Sequence, residues 1–476
     1  HELTERLAWR PSLRVELRLH GIRNLFYAAV FLALGVAMPH GLWALALAVI
    51  LGTELIITLI DFVEEDRTRA LPPSERVTHT LLALNYGVIL ALFAPVLLAW
   101  VAAPTGWQLV FWGWPTLMMV GAAFGVAVFG ARDLAAARRL GRLKRPASGD
   151  LWAEGGQRQH VLVTGGTGFV GQRLVAALVA AGQEVTVLTR DSKKAAGLPV
   201  PLRVITDLAQ IADDEKVDVV INSAGQPVAD FLWTARYRRR ILFSRLRMIR
   251  AIERLIGRLE VKPQTFITAS AIGAYGVSGD HPMDDYSPLE DDGSFSYRSC
   301  AMIERAATRV AASGVRTVAL RIGLVLDTEG GPLARMLLPF EFGLGGPFGE
   351  GRHWMSWITR DDLVRLIGHV VRTPMLDGPV NATAPRPVTG EGFAKALGRA
   401  LHRPVLFRVP ATLLQKGLGD LGREIFLGSQ YVLPTKAQGT GFVFRTRRIE
   451  AAFAELLGEE EREEPRPAPK GVLAFD

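Results

Sequence analysis

Four apolar runs occupy much of the first 130 residues and set the organisation of the chain. They lie at 24–38, 42–60, 81–103 and 107–130. A helix rises 1.5 Å per residue and needs about 20 residues to cross ~30 Å of hydrocarbon, so the last three runs are long enough to span a membrane. The first run is short, and we expect it to be tilted, packed against its neighbours or partly interfacial. The pattern predicts an all-α membrane region over 1–145 with four transmembrane segments.

Basic residues are confined to three of the five segments that flank these runs. The joins at 39–41 and 104–106 contain no lysine or arginine. The other three flanks are basic, and their cations are Arg6, Arg10, Arg14, Arg18, Arg23, Arg67, Arg69, Arg76, Arg132, Arg138, Arg139, Arg142, Lys144 and Arg145. Since lysine and arginine are enriched in cytoplasmic loops, four crossings place all three basic flanks in the cytoplasm. The sequence therefore predicts a multi-pass protein of a bacterial-type inner (plasma) membrane, with its soluble domain in the cytoplasm.

A few polar side chains interrupt the second and third runs. Glu54, Asp61 and Glu65 share one helical face because they follow one another at spacings of seven and four residues. His79 opens the next run, and carboxylates with a histidine could bind a metal or relay protons. The simpler interpretation places Asp61 and Glu65 among the lipid headgroups and pairs Glu54 with an arginine or with Asn85. We therefore predict no metal site and keep these four residues as candidates only.

The pattern changes after a linker at 146–157, where short apolar strands alternate with helices. The strand at 160–163 runs into the turn Thr164-Gly165-Gly166-Thr167-Gly168-Phe169-Val170-Gly171, an amphipathic helix and a second strand at 185–188. This order is typical of a dinucleotide-binding βαβ unit. Glycines at 165, 168 and 171 suit the tight turn, the approach of a pyrophosphate and the packing of helix on strand. The helix N-terminus would offer N–H groups to the phosphates.

The residues after the second strand bear on the choice of cofactor. NAD sites usually place an acid there to hold the ribose 2′-hydroxyl. This chain has Thr189-Arg190, with Lys193 and Lys194 nearby and no acid before Asp191. A guanidinium suits a 2′-phosphate, so the sequence favours NADP(H) over NAD(H).

Further strands complete a fold prediction of class α/β. They lie at 202–205, 217–221 and 265–268, and they alternate with helices. This alternation predicts a Rossmann-type doubly wound parallel sheet over 158–326, with ligands at the carboxyl ends of its strands. A small C-terminal substrate lobe, interleaved with that domain, is expected over 327–456. The predicted cofactor-binding residues are Gly165, Thr167, Gly168, Phe169, Val170, Gly171, Arg190, Asp207, Ser223, Ala224 and Gly225.

Composition adds three points. The 476 residues carry a net charge of +8, but much of the positive charge flanks the apolar runs, so no nucleic-acid partner is predicted. Cys300 is the one cysteine of the chain and cannot form an internal disulfide. The last segment, 457–476, is rich in glutamate and proline and is expected to be disordered.

The glycine turn, with Asp207, 222–225, Ser270 and Tyr275, resembles the extended short-chain dehydrogenase/reductase superfamily. More closely, residues 160–456 are similar to its YfcH-like branch, the nucleoside-diphosphate-sugar epimerase family proteins. Further motifs that match this branch are Trp233, Arg238, Ser244-Arg245, 320–326, 330–346, 351–358 and 381–385. The resemblance covers about three fifths of the chain and implies a nicotinamide cofactor and oxidoreductase or epimerase chemistry.

The superfamily's Ser–Tyr–Lys set is incomplete here. The resemblance places the serine at Ser270 and the tyrosine at Tyr297, but Ala301 stands where the lysine belongs. An unassisted phenol with a pKa near 10 is a poor base at neutral pH. Catalytic candidates are therefore Ser270, Tyr297, Tyr275 and Glu304, while Cys300 is interpreted as a core residue. The segment 349–358 is a possible substrate loop, or else aromatic packing between lobes, and its candidates are Arg352, His353, Trp354 and Trp357.

Three functions remain open on the sequence alone. The leading hypothesis is a membrane-anchored NADP(H)-dependent oxidoreductase or epimerase-like enzyme acting on a small-molecule or lipid-linked substrate close to the bilayer. The missing lysine motivates a second hypothesis, a non-catalytic NADP(H)-binding structural or sensing module. A third places a redox or metal site among the membrane carboxylates, with the soluble domain as electron supplier.

Overall fold

The computed structural model describes residues 14–68, 73–141, 143, 145–152 and 157–458. The chain divides into two compact units, His1–Leu143 and Lys144–Asp476. Several predictions lie outside the described residues: those for Arg6, Arg10, Arg69, Arg142 and Lys144, for 153–156 of the linker and for 459–476 of the tail.

The first unit is built mainly from long helices. Its described elements are α1 (Arg14–Val36), β1 (Ala37–His40), α2 (Leu42–Thr68), α3 (Pro73–Ala102), β2 (Gly106–Leu109) and α4 (Trp114–Leu140). All four helices are long and apolar enough to cross a membrane. β1 and β2 pair antiparallel, with His40 opposite Gly106, so the two joins without basic residues form a short sheet. The prediction of an all-α region is corrected in this respect.

Two helix boundaries differ from the predicted apolar runs. α1 begins at Arg14, ten residues before the run at 24–38, because its first turns carry charged side chains that a hydropathy pattern excludes. With 23 residues, α1 is long enough to span a bilayer. α4 begins at Trp114 rather than 107, since Pro115 suits the first turn of a helix and the preceding residues form β2.

The distribution of polar side chains in the first unit is the reverse of that in a soluble protein. Large apolar side chains cover the outside; Leu92 is 74% and Phe124 73% exposed. Charged side chains lie inside, among them Glu54 and Asp61, which are 0% and 1% exposed. Close contacts at glycine hold α1 and α4 together, since a Cβ at Gly21 would lie 2.7 Å from Leu134. An apolar exterior around a polar interior is the arrangement expected of helices in lipid.

The second unit alternates strands and helices. Its described elements are β3 (His160–Thr164), α5 (Phe169–Ala180), β4 (Glu184–Leu188), β5 (Arg203–Ile205), β6 (Val219–Asn222), α6 (Ala235–Arg258), β7 (Thr265–Ala271), β8 (Pro282–Met283), α7 (Phe295–Ala311), β9 (Arg316–Ile322), β10 (Leu324–Leu326), α8 (Gly331–Glu341), β11 (Trp354–Met355), β12 (Trp357–Thr359), α9 (Arg360–Arg372), β13 (Gly378–Ala382), β14 (Val388–Thr389), α10 (Gly390–Ala400), α11 (Ala411–Leu418), β15 (Tyr431–Val432), α12 (Thr435–Gly439) and α13 (Ile449–Leu457).

Seven of these strands form one parallel sheet in the order β13-β9-β7-β6-β3-β4-β5. The chain runs from β3 towards β5 and then returns to β6 on the other side of β3. The strand order therefore reverses between β3 and β6, where open α/β sheets bind their ligands. Apolar residues pack on both faces of the sheet; Val161 and Val163 contribute to one core and Leu162 to the other. The predicted Rossmann-type fold is confirmed.

The segment predicted as a small lobe, 327–456, contributes to two places. Short pairs of strands join β10 to β12, β11 to β14, and β8 to β15 beside the main sheet. β13 instead returns to the edge of the seven-stranded sheet, next to β9. The lobe and the sheet thus share this stretch of chain, so that residues from both can reach the carboxyl ends of the strands.

Candidate cofactor-binding and active site

The turn between β3 and α5 requires glycine at defined positions. Gly165 has a φ of +78°, and a Cβ on it would lie 2.7 Å from the backbone nitrogen of Ala224. A Cβ on Gly171 would lie 2.1 Å from the carbonyl oxygen of Gly165. Gly168 caps α5, and its Cβ would lie 3.2 Å from that same oxygen. The backbone therefore approaches closely where a pyrophosphate would sit, and the first N–H groups of α5 have no partner within their helix.

The predicted cofactor residues lie at the carboxyl ends of neighbouring strands. Thr167, Phe169 and Val170 follow β3, and 223–225 follow β6. Asn222 joins the strands, since Thr164 Oγ1 donates to its Oδ1 at 2.7 Å and its Nδ2 donates to Thr268 Oγ1 at 2.9 Å. These bonds hold the loop of Ser223, Ala224 and Gly225 against the glycine turn. The glycine turn and this loop form a cradle that suits the phosphates of a dinucleotide.

Arg190 is the first cation after β4 and the candidate for contact with a 2′-phosphate. Arg190 is exposed, and in the described part of the chain no carboxylate lies within ion-pair distance of it. Asp191 accepts a bond from the Lys193 N–H at 3.0 Å and so caps a short helical turn. Asp207 caps the next turn in the same manner, through the N–H of Ala209 at 2.9 Å. The carboxylate of Asp191 is therefore occupied by a backbone N–H, and the guanidinium of Arg190 remains available to a ligand.

Gly330 and Gly331 of the small lobe pack against Phe169, the first residue of α5. Cβ atoms on Gly330 and Gly331 would lie 2.7 and 2.8 Å from the ring of Phe169. The guanidinium of Arg360 lies 5.2 Å from the centre of that ring and pairs with Asp327 at 3.1 Å. Since only glycine permits this approach, the pair at 330–331 positions the first residue of α5 rather than a substrate.

Beyond β7, a buried network joins three of the predicted catalytic residues. Ser270 Oγ donates to Glu304 Oε1 at 2.8 Å. Arg321 donates to both oxygens of Glu304, at 3.0 and 2.8 Å, and to the hydroxyl of Tyr275 at 2.9 Å. The Tyr275 hydroxyl also lies 2.8 Å from Asn381 Oδ1. Sequence reasoning missed Arg321, although an arginine within the buried strand β9 was a visible signal.

This network changes the interpretation of Tyr275. Burial raises the pKa of its phenol, even though Arg321 opposes the shift. Its hydroxyl already has partners on three sides, so Tyr275 stabilises the site and is not placed to exchange a proton with a substrate. We correct its assignment as a catalytic residue accordingly.

Tyr297 and Cys300 lie on α7. Tyr297 is half-buried in the first turn, and its hydroxyl has no hydrogen-bond partner among the described residues. Cys300 is buried, and burial, together with the neighbouring charge of Glu304, raises the pKa of its thiol to about 11. The interpretation of Cys300 as a core residue agrees with this environment.

The proposed substrate loop divides into accessible and buried residues. Arg352 is exposed, while burial lowers the pKa of the His353 imidazole. Trp354 donates to Asp280 at 2.9 Å and packs edge-on against Tyr431. Trp357 is 0% exposed and cannot reach a substrate, so its assignment is wrong and packing explains it.

In the helical unit, the metal candidates separate into two places. Asp61 and Glu65 lie near His20, and His79 Nδ1 lies 3.3 Å from Glu65. Glu54 lies apart and accepts a bond from Thr58 at 2.7 Å. Glu16 joins His20 and Glu65, and sequence reasoning missed both residues of α1 because it began the first segment at 24.

Cys300 provides a test of the site's interior, because it is the chain's single cysteine. With a thiol pKa of about 11, only about 0.1% of the group is thiolate at pH 8, and thiolate is the reactive form. We expect very slow alkylation of the folded protein at pH 8 and a rate that rises about tenfold per pH unit up to pH 10. The measurement is iodoacetamide labelling followed by mass spectrometry, with the denatured chain as the control. Complete labelling of folded protein within minutes at pH 8 would contradict the assignment.

Comparison with known proteins agrees with this geometry. Residues 161–381 match the NAD dependent epimerase/dehydratase family, and residues 409–456 match a domain of unknown function, DUF1731. YfhF, an epimerase family protein of Bacillus subtilis, is 36% identical over 304 residues, which are 63% of this chain and 98% of YfhF.

Two solved structures are similar to this chain. Human epimerase family protein SDR39U1, solved with NADPH, has 28% identity and a TM-score of 0.54, over 63% of this chain and 99% of that protein. The nucleoside-diphosphate sugar epimerase of Corynebacterium glutamicum has 26% identity and a TM-score of 0.50, over 74% of this chain and 67% of its own. The glycine turn, the parallel sheet and these matches lead to one conclusion: the chain belongs to the NAD-dependent epimerase family that includes YfhF and SDR39U1.

Proposed function

We propose that this protein is a membrane-anchored NADP(H)-dependent oxidoreductase or epimerase-like enzyme whose soluble unit faces the cytoplasm. The observation that carries the proposal is the pairing of an accessible Arg190 with an Asp191 that caps its own turn. An NAD site needs a carboxylate on the ribose 2′-hydroxyl, whereas a 2′-phosphate needs a cation. The related human SDR39U1 was solved with NADPH, which supports the same choice here.

Membrane anchoring is supported by the first unit and sets the surroundings of the reaction. Four apolar helices could cross a bilayer, and their basic flanks favour a cytoplasmic soluble unit. A unit held at the bilayer meets lipid-linked or membrane-proximal substrates at high local concentration. We therefore propose a substrate of this kind, bound beside the exposed Arg352 and the half-buried His353.

Ser270 and Glu304 form the proton path that we propose for the reaction. When bound, the nicotinamide would supply hydride transfer at the carboxyl edge of the sheet. A substrate hydroxyl can donate its proton to Ser270 Oγ while Ser270 passes its own to Glu304, 2.8 Å away. Arg321 orients both oxygens of Glu304 and balances its charge. Tyr297 has Ala301 one turn later, so the lysine that would activate its phenol is replaced by an apolar residue.

A second candidate function is an NADP(H)-binding module without catalysis. The observation in its favour is that both oxygens of Glu304 already accept hydrogen bonds from Arg321, so the carboxylate is satisfied without a substrate. Both candidates share the cofactor site and differ in whether Ser270 and Glu304 matter beyond stability.

Cofactor choice is tested by titrating the purified full-length protein with NADPH and NADH. We expect NADPH to bind more tightly, and Arg190→Ala to weaken NADPH binding roughly 10- to 100-fold while leaving NADH binding unchanged, because a charge-assisted bond is lost. Gly168→Asp should abolish binding of both. Arg399→Ala, another exposed arginine of the unit, is the matched control. Equal affinities for NADPH and NADH, or an Arg190→Ala protein that binds NADPH normally, would refute the proposal.

Catalysis is tested by NADPH oxidation with a panel of aldehydes, ketones and lipid extracts. We expect Ser270→Ala and Glu304→Gln to lower the rate about 100-fold or more at unchanged NADPH affinity, since a positioned proton acceptor contributes 10²–10⁴-fold. Thr308→Ala, an exposed hydroxyl on α7, serves as control for Ser270. Tyr297→Phe should lower the rate less than Ser270→Ala does. The exposed Tyr286→Phe is its control. Full activity in Ser270→Ala would remove the proposed proton path, and the non-catalytic module would then be favoured if no variant had an effect.

A further inference from the structure

We propose that Glu16, His20 and Glu65 bind a divalent transition-metal ion within the helical unit. One donor atom from each residue lies within 4.8 Å of the other two, and all three side chains are buried. Glu16 and His20 are four residues apart on α1, so they project from one face towards α2, which carries Glu65. This arrangement goes beyond the cofactor site of the soluble unit and is independent of it.

The separation between His20 and Glu65 suits a single ion. Ligands about 2.1 Å from a metal lie ~3.0 Å apart at right angles and ~4.2 Å apart on opposite sides. His20 Nε2 lies 3.8 Å from Glu65 Oε1 and 3.0 Å from Asp61 Oδ2. Asp61 is therefore available as a further oxygen ligand. Imidazole combined with carboxylates is a donor set for zinc, manganese or iron rather than for calcium.

The surroundings of the trio point to a cation in two ways. Asp61 is 1% exposed, and its Oδ1 has no hydrogen-bond partner among the described residues, although Arg23 and His20 contact its Oδ2. A buried carboxylate oxygen without a donor is unfavourable, and a metal ion would supply the missing contact. His79 contacts the other oxygen of Glu65 at 3.3 Å and would hold that carboxylate in place.

A groove reaches one residue of the trio, Glu65. A groove of about 770 Å³ lies along α2 and α3, and Glu65, Arg76 and His79 are in its wall. The remaining wall consists mostly of apolar and small side chains, from Phe62 to Ala91. Glu65 therefore belongs both to the trio and to an accessible surface, which a metal site requires if the ion is to enter after folding.

Metal content and Co²⁺ absorption of the full-length protein test this site. We expect about one ion per chain after incubation with Zn²⁺, Mn²⁺ or Fe²⁺ and dialysis, and visible d–d bands with Co²⁺. His20→Gln combined with Glu65→Gln should lose at least nine tenths of the metal. The matched controls are His40→Gln, a histidine on β1, and Glu54→Gln, a buried carboxylate on α2 outside the trio.

A thermal unfolding series separates loss of the site from loss of the fold. Added Zn²⁺ should raise the Tm of the wild type and of both controls, and should leave the Tm of the double variant unchanged. If the double variant still binds NADPH as the wild type does, the second unit is intact. Wild-type protein that binds none of the four metals, or a double variant that binds as much as the wild type, would overturn the proposal and leave a network of ion pairs.

A separate observation concerns helix α6 of the second unit. Its sequence contains nine arginines and one glutamate, a net charge of +8 that equals the net charge of the whole chain. At about 100° per residue, six of these arginines fall on one face about 100° wide. We call this face the basic stripe; it consists of Arg236, Arg239, Arg240, Arg247, Arg250 and Arg254, all exposed.

The basic stripe is neither paired nor covered within the described chain. None of its six guanidinium groups lies within ion-pair distance of a described carboxylate. Arginines beside the stripe do pair, Arg238 with Asp420 at 2.9 Å and Arg258 with Asp213. Phe243 lies in the middle of the stripe and is 45% exposed. The opposite face of the helix is buried through residues such as Ile249 and Ile252, so α6 is fixed with its cations outward.

We infer that the basic stripe binds the anionic headgroups of a phospholipid surface. It extends over about 27 Å, from Arg236 to Arg254 at 1.5 Å per residue, which suits many headgroups better than one small ligand. An exposed phenylalanine among arginines is typical of helices that lie at a lipid interface. This inference rests on the proposed membrane anchoring, because a unit covalently joined to helices that cross a bilayer would meet lipid headgroups.

A fluorescence measurement on the full chain in nanodiscs tests the inference. A dye on Phe243→Cys, in a Cys300→Ala background, serves as donor to an acceptor on the lipid headgroups. We expect at least twofold more energy transfer in discs with about 30% phosphatidylglycerol than in phosphatidylcholine alone, and loss of the difference at high salt. Changing Arg240, Arg247, Arg250 and Arg254 to Gln should abolish it. Changing Arg305, Arg386, Arg399 and Lys416 to Gln removes the same charge from other exposed positions and should not.

Two results would overturn the lipid assignment. One is equal energy transfer in neutral and anionic discs, or equal behaviour of the two quadruple variants. The other is tight binding of a single-stranded RNA oligonucleotide by the full chain, lost in the stripe variant, with no dependence on lipid composition. In that case the stripe would be a nucleic-acid surface.

Discussion

The contact of Gly171 with the carbonyl of Gly165 is the constraint on which the second unit depends. It brings the N-terminus of α5 against the end of β3, and no side chain larger than hydrogen fits there. The resulting cradle lies beside the point where the strand order reverses, so phosphates, sheet and helix meet at one edge. Asn222 then bonds to both neighbouring strands and sets the loop of β6 against the cradle. Position of the cofactor therefore follows from backbone geometry, while its identity depends on a few exposed side chains.

In both units, buried charged side chains are held beside oppositely charged partners, although the exteriors of the two units differ. In the soluble unit, Arg321 is 3% exposed and neutralises Glu304 inside an apolar core. In the helical unit, Arg23 and His20 approach Asp61 inside a bundle whose exterior is apolar. A buried carboxylate is stable only when a cation or hydrogen-bond donors are held close to it. Asp61 Oδ1 has no such contact among the described residues, and the proposed metal ion would supply it.

Much of the fold could be predicted from the sequence, because its signals are local. Apolar strands followed by a glycine turn and an amphipathic helix specify a βαβ unit, and the strand at 160–163 was observed as His160–Thr164. The start of α1 could not be found by hydropathy, since Glu16, His20 and Arg23 make that stretch polar although Glu16 and His20 are buried. Long-range contacts were also beyond reach. Nothing local shows that Trp357 is enclosed or that Arg321 meets Glu304 across 17 residues.

The position of NADP⁺ in an experimental structure of the full chain tests the central claim most directly. The account predicts that the 2′-phosphate contacts the guanidinium of Arg190, that the pyrophosphate rests on the N–H groups at the start of α5, and that the nicotinamide lies beside Ser270. A 2′-phosphate left in solvent, with the Asp191 carboxylate turned onto the ribose, would contradict it.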